Sequence, residues 1–335
     1  MLNGRTPPPS GAPDPAVEGA PPPCVLALDV GGTAMKGAVL DRAMQPVASL
    51  HRPTPCAEGP EAVVDAITDT LLRLAERASE RDLSVLHAGV VVPGIVDERA
   101  QRAVWSANLG WRDLALGAVL EARTGMTVTL GHDVRAGGAA ECALGAARAV
   151  RNALFVAVGT GVAAALVCDG RPLSCDGFAG ELGHVRVHGG RTCACGGTGC
   201  LETVASASAV AHAYASRSGR RVTGAAEVAA LVEGGDPVAR TVWVTATEAL
   251  AEALAAATTL FAPEVVVLGG GLAESDRLLL DPVRDGLAAR LAFQRTPAVV
   301  RADLGDRAGC LGAGLAAWHA AGHRVPVLPT GASAR

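Results

Sequence analysis

Apolar positions along the chain fall into short dense runs separated by glycine-rich turns. Val25-Leu26-Ala27-Leu28 reads as a buried strand, Gly31-Gly32-Thr33 as a tight turn, and Lys36 to Leu40 as a second strand, which together predict a hairpin. From Glu61 to Arg81 the pattern changes: Val64, Ile67, Leu71, Leu74 and Ala78 recur at steps of three and four, which predicts an amphipathic helix. Leu86 to Val92 is a further apolar strand, ended by Pro93-Gly94, and Thr127 to Leu130 a shorter one, followed by an alanine-rich helix to Ala147. The second half repeats the theme. Leu154 to Val158, a glycine turn and Ala163 to Val167 predict another hairpin. Thr241 to Phe261 predicts a helix stopped by Pro263, and Val265 to Leu268 a buried strand. Gly269-Gly270-Gly271 and a helix from about Ser275 come next, with a last helix over Ala308 to Ala320. A strand–turn–strand unit that occurs twice among mixed strands and helices implies two α/β domains of similar build facing a cleft, where ligands usually bind.

Composition narrows the picture. The 335 residues suffice for two domains, and half are hydrophobic, but aromatics are only 3%, so the core is built from Ala, Val and Leu. A net charge of -4 without a long basic run disfavours nucleic acid and anionic membranes as partners. No run reads as a membrane span or a secretory signal, which points to a cytoplasmic, reducing location. There, nine cysteines suggest metal ligands and buried thiols rather than disulfides. Residues 1–23, dense in Pro, Gly and Ala, read as a disordered tail.

Three glycine turns stand at predicted strand ends. In Asp29-Val30-Gly31-Gly32-Thr33 the glycines let backbone N–H groups approach a phosphate, the threonine adds a donor, and Asp29 can hold a hydrated Mg²⁺. Gly159-Thr160-Gly161 and Gly269-Gly270-Gly271 follow the same logic, and the set looks like two phosphate turns and an adenosine turn. Any one of them alone is an ordinary hairpin. Lys36, the sole lysine in a chain that otherwise uses arginine, follows the first turn, where its ammonium could reach a phosphate. The most specific stretch is Cys193-Ala194-Cys195-Gly196-Gly197-Thr198-Gly199-Cys200-Leu201-Glu202. Its three thiols suit tetrahedral Zn²⁺, with His184 or His188 upstream as the fourth ligand.

Taken together, Asp29 to Thr33, Gly180-Glu181-Leu182-Gly183-His184, Cys193 to Glu202 and Gly269 to Gly271 resemble the ROK family of bacterial sugar kinases and sugar-responsive repressors, over about residues 25–320. The resemblance implies the two-lobed, actin-like and hexokinase-like (ribonuclease H-like) α/β fold with a structural zinc loop. The expected division is a first lobe over 24–126, completed by a C-terminal helix at about 306–322, and a second lobe over 127–305. It further implies an ATP- and Mg²⁺-dependent, glucokinase-like activity. Asp133 would be the general base. Gly94, Asn108, Glu181, His184 and Glu202 would contact the sugar. Asp29, Gly31, Gly32, Thr33, Lys36, Gly159, Thr160, Gly161, Gly270 and Gly271 would hold the nucleotide. His184, Cys193, Cys195 and Cys200 would hold Zn²⁺.

Three departures from the family pattern carry expectations of their own. The catalytic stretch, Glu-Asn-Asp-Ala-Asn in the family, reads Gly131-His132-Asp133-Val134-Arg135, so His132 takes an acceptor-contacting position and glucose is not expected to be the preferred acceptor. The segment between His184 and Cys193 is one residue short of the family spacing, which leaves His188 open as a substitute ligand. The second phosphate turn continues as Val162-Ala163-Ala164, where more glycine is usual. An N-acylated amino sugar or a cyclitol is the alternative acceptor, and a homodimer the assembly considered. A sugar-sensing regulator is disfavoured, because the tail ahead of Val25 is too short for a DNA-binding domain.

Overall fold

The computed structural model describes residues 20–148 and 150–325. The tail expected over 1–23 lies outside the described residues except for 20–23, and Pro23 already opens the first strand.

The first lobe runs β1 (Pro23–Val30), β2 (Ala34–Leu40), β3 (Pro46–Pro53), α1 (Pro60–Ser79), β4 (Ser84–Val92), β5 (Ile95–Asp97), β6 (Arg102–Ser106), β7 (Trp111–Leu114), α2 (Leu116–Thr124) and β8 (Val128–His132). After α3 (Asp133–Leu144), the second lobe has β9 (Ala153–Val158), β10 (Val162–Cys168), β11 (Arg171–Pro172), β12 (Arg186–Thr192) and β13 (Thr198–Cys200). It continues with α4 (Glu202–Ala205), α5 (Ala207–Ser218), α6 (Ala225–Glu233), α7 (Pro237–Phe261), β14 (Val265–Gly269), α8 (Arg277–Ala288) and β15 (Ala298–Arg301), and the described chain closes with α9 (Ala308–Ala320).

The duplication expected from the hairpins is present in full. The first sheet has the order β3-β2-β1-β4-β8 and the second β11-β10-β9-β14-β15. In each, an antiparallel meander is extended by two parallel strands on the far side of its first strand. Burial explains the composition of the central strands: β1 and β14 are sealed on both faces and read as unbroken apolar runs rather than alternating ones.

Two helices lie back to back between the sheets. Helix α9 covers the first sheet, with Ala313, Ala317 and Trp318 packed on Val25, Ala27 and Val91. Helix α3 covers the second, where Phe155, Ala165 and Val267 form the facing core. Glycine lets the layers touch: a Cβ on Gly312 of α9 would stand 2.1 Å from the Ala136 carbonyl oxygen of α3, and one on Gly89 of β4 2.0 Å from that of Ala313 of α9. The C-terminal helix is thus packed on the first sheet on one side and on α3 on the other.

The division expected after residue 126 falls differently. Strand β8 is hydrogen-bonded to β4 and is the edge of the first sheet, so that sheet extends to His132. An exposed edge invites foreign strands, but here side chains occupy it. Gln101 takes both the N–H and the C=O of Leu130, while Glu121 and Glu98 accept from the N–H groups of Val128 and His132.

Candidate active site

Several of the predicted residues come close together: Asp133 lies near enough to Asp29 and to Glu181 to raise the pKa of both. The β1–β2 turn carries Gly31 and Gly32, and Gly31 N–H closes it on Ala34 O at 2.9 Å. Thr54 and Cys56 brace it from outside, through Thr54 Oγ1 to Gly31 O at 2.7 Å and Cys56 Sγ to Gly32 O at 3.1 Å. Asn108, exposed after β6, lies against this turn: a Cβ on Gly32 would stand 3.6 Å from Asn108 Cβ. Gly94 has φ +107° and passes so close to Trp105 O that a Cβ would approach to 2.2 Å, so only glycine fits here. In the second lobe the 159–161 turn and the turn after β14 are neighbours, since Gly270 (φ +81°) packs on Val158 O. The two later glycine turns therefore form one wall.

Asp133 stands at the first position of α3, where β8 delivers it to the mouth of the cleft. Its Oδ1 accepts from Val134 N–H at 2.7 Å and lies 3.4 Å from His132 Nε2. His132 is 7% exposed and caps the helix, its Nδ1 accepting from Arg135 N–H at 3.3 Å. With Nδ1 an acceptor, the ring proton belongs on Nε2, and burial holds the imidazole pKa below its usual value. His132 thus spends Nδ1 on the helix cap and sets Nε2 beside the Asp133 carboxylate.

Asp29 faces the same space. Burial pushes its carboxyl up to about 7, with Asp133 adding to the rise and Lys36 opposing it. Lys36 is the cross-strand partner of Asp29, and its Nζ is bound to Asp306 O and Oδ2, each at 3.1 Å. The lone lysine, expected at a phosphate, here ties β2 to the start of α9.

Glu181 and Glu202 approach from the zinc-loop side. Burial raises the Glu181 pKa, His184 and Arg135 lower it, and Glu202 and Asp133 raise it, so these charges share one neighbourhood. His184 Nε2 lies 3.7 Å from Glu181 Oε2. Glu202 Oε2 accepts from Val162 N–H at 2.9 Å, which anchors the zinc-loop carboxylate to the second phosphate turn. Beyond that turn Val162 to Ala164 simply continues as strand β10.

His184, Cys193, Cys195 and Cys200 place their donor atoms within 4.8 Å of one another. The edges Cys195 Sγ to Cys200 Sγ, 3.7 Å, and Cys193 Sγ to His184 Nδ1, 3.8 Å, match a tetrahedron with metal–sulfur bonds of about 2.3 Å. The donor set and its spacing fit Zn²⁺. His188 is outside this group; its N–H is held by the Glu252 carboxylate, and a register shift in β12 between Arg186 and Arg191 absorbs the short spacing. Because Nδ1 faces the thiols, Nε2 of His184 is left towards Glu181.

The ROK family profile matches residues 25–320. The chain belongs to the ROK family. It is 31% identical over 308 residues to a glucokinase of Halalkalibacterium halodurans, covering 86% of this chain and 93% of that protein. The crystal structure of a ROK hexokinase from Thermus thermophilus superposes with a TM-score of 0.78 at 33% identity, covering 89% of this chain and 98% of that one. A ROK glucokinase from Streptomyces griseus, solved in complex with glucose and AMPPNP, gives 0.75 at 26% identity, over 88% and 99%. The ROK member described here thus has the actin-like, two-lobed kinase fold.

Two residues of the site escaped the sequence. Glu98 lies in Asp97-Glu98-Arg99, which reads as turn charges, yet it binds both His132 N–H and Arg135. Asp306 likewise looks like a loop acid until the fold sets it beside Lys36. Their partners are 34 to 270 residues away, and no local pattern marks them.

Proposed function

We propose that this ROK protein is an ATP-dependent kinase that phosphorylates a hydroxyl of a hexose or sugar-like acceptor, with Asp133 as general base. The observation that carries this reading is the Asp133 carboxylate. One oxygen is fixed by Val134 N–H with His132 Nε2 beside it, and the carboxylate shares its neighbourhood with Asp29 and Glu181. The glucokinase of H. halodurans and the S. griseus enzyme with its glucose and nucleotide analogue support both the acceptor class and the donor.

In the reaction, Asn108, Glu181, Glu202 and His184 Nε2 hold neighbouring acceptor hydroxyls. A polyol requires such convergent acceptors and donors. The attacking hydroxyl gives its proton to Asp133 as its oxygen bonds to the γ-phosphorus, and the bond to the β-bridging oxygen breaks to release ADP. Backbone N–H groups of Gly31, Gly32 and Gly159 to Gly161 receive the phosphate charge. Mg²⁺, whose water shell Asp29 would hold, supplies further neutralisation and would draw that carboxyl back to its ionised form. His184, Cys193, Cys195 and Cys200 would hold Zn²⁺ in a structural role, which would fix the segment leading to Glu202 and set the His184 ring.

ADP release by the purified protein with ATP and Mg²⁺ against a panel of hexoses, N-acylated amino sugars and cyclitols tests this directly. At least one acceptor should raise the rate well above the acceptor-free background. A panel with no active member would sink the proposal.

A further inference from the structure

Arg135 stands where the family pattern has asparagine, and it is 2% exposed. A guanidinium cannot shed its charge, so such burial demands partners. It has three, two at β5 and its end and one on the 174–180 segment. Its Nε donates to Glu98 Oε1 at 2.9 Å, just past β5. Its Nη2 donates to Val96 O on β5 at 3.0 Å, and its Nη1 to Gly177 O, between β11 and β12, at 3.2 Å. The first two belong to the first lobe and the third to the second. Gly177 (φ +95°) presses on β5 at the same point, where a Cβ would stand 2.5 Å from Val96 O. Four residues beyond Gly177, the segment delivers Glu181; two residues before Arg135 stands Asp133. Glu98 also accepts the N–H of His132, the residue directly before Asp133, so the network reaches the base's own backbone.

We propose that Arg135 is a positioning residue for the phosphoryl acceptor. One buried guanidinium fastens β5 and the 174–180 segment to the first turn of α3, and so fixes where Glu181 stands relative to Asp133. The inference rests on the kinase reading given above. The planar fork is what the job requires: three donors leave it in fixed directions, and an ammonium on a flexible stem cannot serve three separate acceptors in the same way. A misplacement of about 1 Å between acceptor and base is enough to cost roughly a hundredfold in rate.

The test is steady-state kinetics on Arg135→Met and Arg135→Lys with the best acceptor, varying acceptor and ATP separately. Both variants should raise the acceptor KM about tenfold or more and lower kcat, with the ATP KM within about twofold of wild type. The lysine variant should not rescue, since charge alone is not the requirement. Wild-type acceptor KM in both variants, or full rescue by lysine, overturns the proposal. So does an equal loss towards both substrates, which is the mark of general loosening. Should the arginine variants fail to fold, Gly177→Ala opens the same junction without touching a charge. The same acceptor-selective loss is expected there, and an unchanged acceptor KM overturns the idea. A wild-type protein that turns over no acceptor would instead refute the kinase reading itself.

Discussion

Gly161→Ala gives the sharpest probe of how the two substrate regions are joined. A Cβ at this position would lie 2.5 Å from Glu202 Oε2. An ordinary contact needs about 3.5 Å, so the carboxylate must retreat by roughly 1 Å. It cannot then keep its 2.9 Å bond from Val162 N–H. A hydrogen bond to a charged group contributes about 1.5 to 3 kcal/mol, and each 1.4 kcal/mol is about tenfold. A fall in kcat/KM of roughly ten- to a hundredfold is expected, towards acceptor and ATP alike, because Glu202 belongs to both regions. The fold should be spared: the clash is with the free end of a side chain, and Gly161 is not among the residues with positive φ. The assay is ADP release with each substrate varied in turn, beside a thermal melt. Wild-type kinetics in the variant, or a loss confined to ATP, would refute the coupling. A large drop in melting temperature would show that the glycine serves packing instead.

Other outcomes follow from the same site. Asp29 carries a carboxyl raised to about 7 in the folded chain, against an ordinary value near 3.8. The fold therefore binds a proton that the unfolded chain has lost, and this group's contribution to stability declines as pH rises from about 4 to 7, then levels off. Asp29→Asn should accordingly melt higher than wild type at pH 8 without Mg²⁺, while losing activity; a lower melting temperature would contradict the burial argument. Freshly purified protein should contain about one Zn²⁺ per chain, by the ligand count of a closed site. Cys195→Ser should release it and raise the acceptor KM, and metal analysis that finds no zinc in the wild type would exclude the site.

The chain's repeated strand–turn–strand pattern was enough to foresee two lobes, because buried strands such as Val25 to Leu28 and Val265 to Leu268 are apolar throughout and end in glycine. The final helix, Ala308 to Ala320, was legible to the residue. Strand β3 was not: polar residues occupy both its exposed and its half-buried positions, His51 and Arg52 among them, which blurs the alternation. The small sheet β5-β6-β7 was hidden because its strands are three to five residues long. Strand β8 was seen but given to the wrong lobe, since the sequence does not show which parallel neighbour a strand will find. Within the site, local spacing marked the thiols and the glycine turns. The protein partners of His132 and Lys36 were not legible, because the cap to Arg135 N–H and the pairing with Asp306 depend on how β8 meets α3 and on a residue 270 positions away.

The central claim is that Asp133 takes the acceptor's proton. The measurement that meets it most directly is kcat for Asp133→Asn against wild type, with the best acceptor and with acceptor binding followed separately by calorimetry. The asparagine keeps the shape and an oxygen to accept from Val134 N–H, but it cannot take the proton. The expected result is acceptor binding within a few-fold of wild type and a kcat lower by about a hundredfold to ten-thousandfold. Turnover near the wild-type rate in that variant would contradict the account.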